Sequence, residues 1–275
     1  MLELVAIAAV KMKLRQAGGE RSAPSTVLIT GGNRGIGRGL VKIFLAKPSS
    51  TVIAGVRDPS HPTSKSLGDL PKGKDSKLII VKLDSSVHSD ATEAVTVLKR
   101  DYDINSLDIA IANAGIASDG ALVRDTAIDN INKHFEVNTI GPIVLFQAIA
   151  DLLQASSNPT FIAISTLIGS IGSMEHLVGL PPTASPYGGS KAALNWFIRR
   201  LHFEEPWLTS FVFHPGLVET DLAIAAVGQN SVQDLSAFGA ISVDTSVASM
   251  VDVISKGGKE LGGTFQNYDG TPIAW

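Results

Sequence analysis

Tyr187 and Lys191 are the residues with the clearest chemical potential, four positions apart in Tyr187-Gly-Gly-Ser-Lys191. In a helix, this spacing puts both side chains on one face, one turn apart. A free phenol has a pKa of about 10, and a neighbouring ammonium stabilises the phenolate and lowers that pKa. We therefore predict that Tyr187 exchanges a proton with a substrate oxygen and that Lys191 tunes it. The alternative is a surface pair without a chemical role.

The segments that must position this pair alternate between apolar runs and helical periods. Near-continuous apolarity is typical of parallel strands that are covered on both faces. The predicted strands are Thr26–Thr30, Thr51–Val56, Lys77–Leu83, Leu107–Ala112, Thr160–Ser165, Leu208–His214 and Gly263–Asn267. A longer apolar helix is predicted over Asn138–Leu153. The pattern predicts an α/β fold, a doubly wound parallel seven-stranded sheet of the Rossmann type, in a single domain over residues 26–275.

A glycine-rich loop follows the first predicted strand, in the sequence Thr30-Gly-Gly-Asn-Arg-Gly-Ile-Gly37. The glycines let the backbone turn tightly and approach a pyrophosphate, and a helical period begins at Ile36. The N–H groups and the dipole at the start of that helix favour an anion. The loop therefore predicts a dinucleotide site, and the alternative is a plain glycine-rich turn.

The choice between the two nicotinamide cofactors depends on charge at the end of the second strand. NAD sites place a carboxylate there, whereas this strand is followed by Arg57 and then Asp58. Arg57 and Arg34 together would suit the 2′-phosphate of NADP. We predict NADPH as the cofactor. An inward-facing Asp58 would favour NAD instead.

These elements carry a family resemblance. The glycine-rich loop, Asn113-Ala114-Gly115, Asn138, the Tyr187/Lys191 pair, and Pro215-Gly216 with Thr220 follow the order and intervals of the short-chain dehydrogenase/reductase family. The resemblance covers nearly the whole chain from Thr26 to Trp275. Within the family, the chain is most similar to fungal norsolorinic acid ketoreductase-like and sniffer-like carbonyl reductases.

The resemblance implies roles for individual residues. The predicted catalytic residues are Tyr187, Lys191, Thr166, Ser165 and Asn138, and the predicted cofactor-binding residues are Gly31, Asn33, Arg34, Gly35, Ile36, Gly37, Arg57, Asp84, Asn113, Ala114, Gly115, Lys191, Pro215, Gly216, Val218 and Thr220. Asn138 would hold a water that links Lys191 to solvent. The family places a serine three residues before a glycine, which is Thr166 here, and Ser165 and Ser170 remain alternatives. Asp84 is either an adenine contact or a helix cap.

The expected function is NADPH-dependent reduction of a ketone or aldehyde to the alcohol. Residues 171–186 and a substrate lid at about 222–241 are rich in apolar residues, which favours an apolar substrate, with polycyclic and aryl ketones as candidates. The lid segment could equally be an ordinary connecting helix pair. The alternatives are an alcohol dehydrogenase working in the oxidative direction, and a cofactor-binding member of the fold with a non-redox or regulatory role.

The composition of the chain limits which metals, cofactors and macromolecular partners it could bind. The chain has 275 residues, a net charge of -3 and no cysteine, so thiolate chemistry and cysteine-based zinc sites are excluded. The six histidines have no metal-ligand spacing, and we predict no metal. Nothing in the charge pattern favours nucleic acid or a membrane. We expect a cytoplasmic homodimer or homotetramer, with residues 1–25 as a flexible extension.

Overall fold

The computed structural model describes residues 25–118, 122–177, 185–227 and 239–275. The predicted N-terminal extension therefore lies outside the described residues, apart from Ser25. So do residues 178–184 of the predicted substrate loop and residues 228–238 of the predicted lid.

Seven parallel strands form one sheet, as predicted. They are β1 Thr26–Thr30, β2 Thr51–Val56, β3 Lys77–Lys82, β4 Ile109–Ala112, β5 Thr160–Ile164, β6 Thr209–His214 and β7 Phe265–Asn267. Their order in the sheet is β3-β2-β1-β4-β5-β6-β7. Strands β4 and β7 begin two residues later than predicted. The Leu107 N–H bonds to Leu152 in a helix rather than to a strand, and Gly263 has a positive φ of 71°.

Helices cover both faces of the sheet. They are α1 Gly35–Ala46, α2 Pro62–Lys65, α3 His88–Tyr102, α4 Ile128–Phe135, α5 Gly141–Gln154, α6 Ser185–Glu204, α7 Asp221–Val227 and α8 Val243–Lys256. Strand residues alternate between two buried clusters. Leu28 faces the α3, α5 and α6 side, whereas Val27 and Ile29 face α1 and α8. The sheet is therefore buried on both faces, which explains its near-continuous apolar strands.

The long helix predicted over Asn138–Leu153 is more complex than its apolar pattern indicated. It begins with α4, passes through a π-helical turn at Glu136–Ile140 that contains Asn138, and continues as α5. Among the described residues, Ile128–Gln154 is the one helical segment long and apolar enough to span a membrane by length and composition. Leu145, Ile149 and Leu152 of this segment are buried in the core beside the sheet. It is therefore built as a core helix.

The cleft follows from the strand order. Strand β1 pairs with β2 on one side and with β4 on the other. The connections after β1 and β4 leave the carboxyl edge of the sheet on opposite sides, which opens a crevice between them. The glycine-rich loop and Asn113 both lie at this crevice.

Candidate cofactor cleft and active site

The glycine-rich loop has the backbone shape that a phosphate site requires. Gly31 and Gly35 have positive φ angles of 64° and 50°. A Cβ at Gly37 would lie 2.2 Å from the carbonyl oxygen of Gly31, so only glycine lets α1 start this close to the end of β1. No described side chain caps α1, and its first turn has no acidic residue. Its N–H groups and dipole are therefore available to an anion, and the loop fits a pyrophosphate.

The turn after β4 connects this loop to Lys191. The backbone N–H groups of Asn113 and Ala114 both donate to Thr30 Oγ1 at 3.0 Å, and Asn113 Nδ2 donates to the Thr30 carbonyl at 2.9 Å. A Cβ at Gly115 would lie 3.1 Å from Asn138 Oδ1 and 3.6 Å from Lys191 Nζ. Contacts through the turn after β4 thus link the glycine-rich loop to Asn138 and Lys191.

The end of β2 presents positive charge. Arg57 is exposed directly after the strand. The carboxylate of Asp58 accepts hydrogen bonds from Ser60 N at 2.8 Å and Ser60 Oγ at 2.7 Å, and these bonds lower the pKa of Asp58. The carboxylate thus closes its own turn, so the inward-facing alternative is not seen. Arg34 lies 3.7 Å from Asp221 at the start of α7. Both side chains are exposed, so this ion pair contributes little to the stability of the fold.

Two predicted cofactor residues have partners within the chain. Asn33 Nδ2 donates to Thr63 Oγ1 at 2.8 Å, which ties the glycine-rich loop to α2. Asp84 Oδ1 accepts from the backbone N–H and the hydroxyl of Ser86. The N-cap of α3 is Val87, so the alternative that Asp84 caps a helix is wrong. Asp84 instead closes the turn that precedes the helix.

Tyr187 and Lys191 lie one turn apart on α6, as their spacing predicted. Lys191 Nζ is 5.9 Å from the centroid of the Tyr187 ring, and it donates a hydrogen bond of 2.7 Å to the Ile164 carbonyl. Lys191 is buried, and burial lowers its pKa to about 8. Burial raises the pKa of Tyr187 to about 12. The predicted direction of the Tyr187 shift was therefore wrong, because desolvation outweighs the attraction of an ammonium that is directed at a carbonyl.

The three hydroxyl candidates after β5 have different surroundings. Ser165 is fully buried and donates its hydroxyl to Asn195 Oδ1. Ser170 donates its hydroxyl to the Ala274 carbonyl. Thr166 Oγ1 accepts only a long bond of 3.3 Å from Ile168 N, and its own hydroxyl hydrogen is not committed to a described residue. The geometry therefore favours Thr166 over the two serines for contact with a substrate.

The side-chain amide nitrogen of Asn138 donates both of its hydrogens to acceptors within the chain. Nδ2 donates to the Ile116 carbonyl and to Ser190 Oγ, and Oδ1 accepts from Ile116 N. A water held by Asn138 would therefore bind Oδ1 or the backbone carbonyl. Ser190, which the sequence reasoning missed, also donates to the Tyr187 carbonyl and so couples Asn138 to the turn that carries Tyr187. Its position directly before Lys191 was the available signal.

The segment after β6 crosses the cleft. Gly216 has a φ of 85°, and a Cβ there would lie 2.9 Å from Ile241 Cδ1. Val218, four residues before the predicted lid, forms a parallel bridge with Ile241 at the end of the lid. The Thr220 methyl lies 3.5 Å from the Cβ position of Gly35, so this segment contacts the glycine-rich loop. Ser246 Oγ donates to the Pro215 carbonyl and anchors the segment on α8.

Among the described residues, no group of three or more His, Asp or Glu side chains could hold a metal ion. His176 is exposed in the short turn Met174–Leu177. Trp275 packs against Phe265, with ring centroids 5.6 Å apart, consistent with a packing role.

The fold and the cleft define a dinucleotide-binding oxidoreductase architecture, and comparison with known proteins identifies the family. The short chain dehydrogenase family matches residues 25–230. The chain therefore belongs to the short-chain dehydrogenase family, a class of oxidoreductases.

Individual relatives agree with this assignment. The norsolorinic acid ketoreductase stcE of Emericella nidulans is 40% identical over 199 residues, covering 72% of this chain and 74% of the relative. The norsolorinic acid ketoreductase nor1 of Dothistroma septosporum is 37% identical over 257 residues, covering 92% and 94%. The NADPH-bound carbonyl reductase from chicken fatty liver superposes with a TM-score of 0.78 at 29% identity, covering 92% and 99%. The carbonyl reductase Sniffer of D. melanogaster gives 0.76 at 28%, covering 92% and 100%.

Proposed function

We propose that the protein reduces a ketone or aldehyde to the alcohol with NADPH, and that Tyr187 donates the proton. The observation that carries the proposal is the meeting of Tyr187, Lys191 and the Thr166 loop beside the glycine-rich cleft. The relatives that are named ketoreductases and carbonyl reductases support the same reaction.

NADPH is the cofactor that the charge of the cleft favours. The glycine-rich loop would hold the pyrophosphate, and Arg57 together with Arg34 of that loop would attract the 2′-phosphate. Asp58 does not oppose this, since its carboxylate is engaged by Ser60. The chicken fatty-liver reductase with NADPH bound supports this choice. When bound, the cofactor supplies a hydride to the carbonyl carbon.

The residues of the chain supply orientation and the proton. The Thr166 hydroxyl donates to the substrate carbonyl oxygen, which polarises it and fixes its direction. Tyr187 donates its phenolic proton to the same oxygen as negative charge develops there. Lys191 lies near the phenol ring and stabilises the phenolate that forms. Asn138 would hold the water through which the proton is replaced.

Tyr187 at rest is in the form that a reduction needs. With a pKa of about 12, its phenol is protonated at neutral pH. A reduction needs this protonated form, because the developing alkoxide is a much stronger base than a phenolate. An oxidation would use the same group as the phenolate, so cofactor preference and cofactor concentrations decide between the two directions.

The surroundings of the reacting groups favour an apolar substrate. Ile171 and Met174 follow the Thr166 loop, and they are 68% and 56% exposed. Exposed apolar side chains that follow the Thr166 loop in sequence are suited to contact an apolar ligand. Polycyclic and aryl ketones are therefore the candidates that we propose.

Two measurements on the purified protein test the proposal. Fluorescence titration with NADPH and NADH should give at least tenfold tighter binding of NADPH, as expected for one charge-assisted phosphate contact of about 1.5–3 kcal/mol. A panel of aryl, polycyclic, sugar and short aliphatic carbonyls should give turnover mainly with the first two. Tight NADPH binding without turnover on any carbonyl or alcohol would favour the non-redox alternative. Faster alcohol oxidation than ketone reduction at pH 7 would favour the oxidative one.

We also propose that the chain self-associates through α6. Trp196 and Phe203 of this helix are more than 60% exposed, and Phe197 is 43% exposed. Aromatic side chains of this size are enriched at interfaces between subunits. This favours the predicted homodimer or homotetramer.

A further inference from the structure

Asn195 is a buried polar residue that the proposed mechanism does not use. It lies on α6, four residues after Lys191 and eight after Tyr187, so the three side chains follow one face of the helix. Only 3% of Asn195 is exposed. A buried amide is stable only if its hydrogen-bonding groups have partners.

Both partners of Asn195 belong to the loop that carries Thr166. Its Oδ1 accepts a hydrogen bond from the Ser165 hydroxyl, and its Nδ2 donates to the Gly169 carbonyl at 3.1 Å. The two contacts lie on either side of Thr166 in sequence. Asn195 therefore holds the loop at both ends from a single side chain.

The loop itself is closed between these two contacts. The Gly169 N–H donates to the Thr166 carbonyl at 2.9 Å, and the Ile168 N–H donates to Thr166 Oγ1 at 3.3 Å. A shift at either end would thus be transmitted to the Thr166 hydroxyl.

The loop is also packed tightly on α6. A Cβ at Gly169 would lie 2.8 Å from Lys191 Cβ, and a Cβ at Gly188 would lie 3.1 Å from the Ile168 carbonyl oxygen. The helix that carries Tyr187 and the loop that carries Thr166 therefore meet closely at these two glycines. At this distance, the hydrogen bonds of Asn195 set the register of one element against the other.

We propose that Asn195 is a positioning residue that holds the Thr166 hydroxyl in register with Tyr187. It acts through Thr166 and does not itself contact the substrate. The proposal rests on the proposed function, because the register matters for turnover only if both hydroxyl groups act on one carbonyl oxygen. Since misplacement of a reacting group by about 1 Å costs on the order of 100-fold in rate, the loss of Asn195 should be seen in kcat.

The kinetic test is a double-mutant cycle with Thr166. Asn195→Ala should lower kcat about 10- to 100-fold and change the Kd for NADPH less than about twofold. In a Thr166→Ala background, Asn195→Ala should cost less than about twofold more, because the group that it positions is already gone. A general structural role would give equal losses in both backgrounds, and that result would overturn the proposal.

Amide hydrogen exchange tests the same idea without turnover. The amides of residues 165–170 should exchange faster in Asn195→Ala, whereas those of residues 30–37 should be unchanged. Ser165→Ala, a smaller deletion that removes one of the two bonds, should give an intermediate result if Asn195→Ala does not fold. Unchanged exchange over residues 165–170 in the folded variants would overturn the proposal.

Ser210→Ala is the matched control. Its buried hydroxyl also bonds to α6, at the Ile198 carbonyl, and Ser210 pairs with Phe161 of β5, four residues before Ser165. It should leave kcat and loop exchange as in the wild type. If the wild type reduces no carbonyl, the proposed function fails, and the exchange experiment still decides whether Asn195 holds the loop.

Discussion

Replacing Lys191 by Met should stabilise the fold while it removes activity. Methionine fills a similar apolar volume but carries no charge. Burial lowers the pKa of Lys191 from 10.5 to about 8, which at about 1.4 kcal/mol per unit corresponds to a cost of roughly 3 kcal/mol for keeping the ammonium charged. The variant also loses the charge-assisted bond to the Ile164 carbonyl, worth about 1.5–3 kcal/mol. The net expectation at pH 7 is a gain of zero to about 2 kcal/mol in the free energy of unfolding.

The pH dependence of stability gives the sharper comparison. Between pH 8 and about 10.5 the unfolded chain binds more protons at this lysine than the folded chain does, so the wild type should become more stable as pH rises through that window. Below pH 8 both states are charged, and the full cost is present. Lys191→Met should lack this rise. Urea unfolding followed by tryptophan fluorescence at pH 7 and at pH 9.5 measures both effects.

Two results would show that the buried charge of Lys191 does not destabilise the fold. A Lys191→Met variant that is less stable than the wild type by more than about 2 kcal/mol at pH 7 would mean that the ammonium is a net stabilising group. An identical rise with pH in the two proteins would mean that Lys191 does not titrate in that window. Ser210→Ala serves as the control for general effects of a buried substitution.

Three further perturbations test the cleft and the assembly. Arg57→Ala should weaken NADPH binding about 10- to 100-fold and leave NADH binding unchanged, and equal losses for both cofactors in a fluorescence titration would exclude a 2′-phosphate contact. Gly37→Ala should abolish binding of both cofactors while the protein stays folded. Its Cβ would lie 2.2 Å from the Gly31 carbonyl oxygen, so the glycine-rich loop would have to move out of the shape that binds a pyrophosphate. Full NADPH affinity in that variant would contradict the proposed pyrophosphate site. Trp196→Glu with Phe197→Glu should convert an oligomer to a monomer in light scattering, and an unchanged mass would locate the interface elsewhere.

The sequence predicts the sheet well because the strand signal is local. Near-continuous apolar runs such as Thr51–Val56 were found with their observed bounds, since burial on both faces leaves few polar positions in the strand. The glycine-rich loop could also be predicted from the sequence, because positive φ angles at Gly31 and Gly35 favour glycine at those positions.

The sequence predicted that Tyr187 and Lys191 share a helix face, but it could not predict the contacts around them. Spacing placed Tyr187 and Lys191 on one helix face, yet it could not give the balance between desolvation and attraction, which raises the pKa of Tyr187. The roles of Ser165 and Asn195 depend on a hydrogen bond between residues 30 positions apart. No local pattern encodes such a pairing. Asp84 was likewise ambiguous until the start of α3 fixed the cap at Val87.

Tyr187→Phe tests whether Tyr187 donates the proton in a ketone reduction. The ring is retained and only the hydroxyl is lost, so NADPH affinity should be unchanged. We expect the rate of single-turnover reduction of an aryl ketone by the NADPH-saturated enzyme to fall at least about 100-fold. Turnover equal to that of the wild type would contradict it.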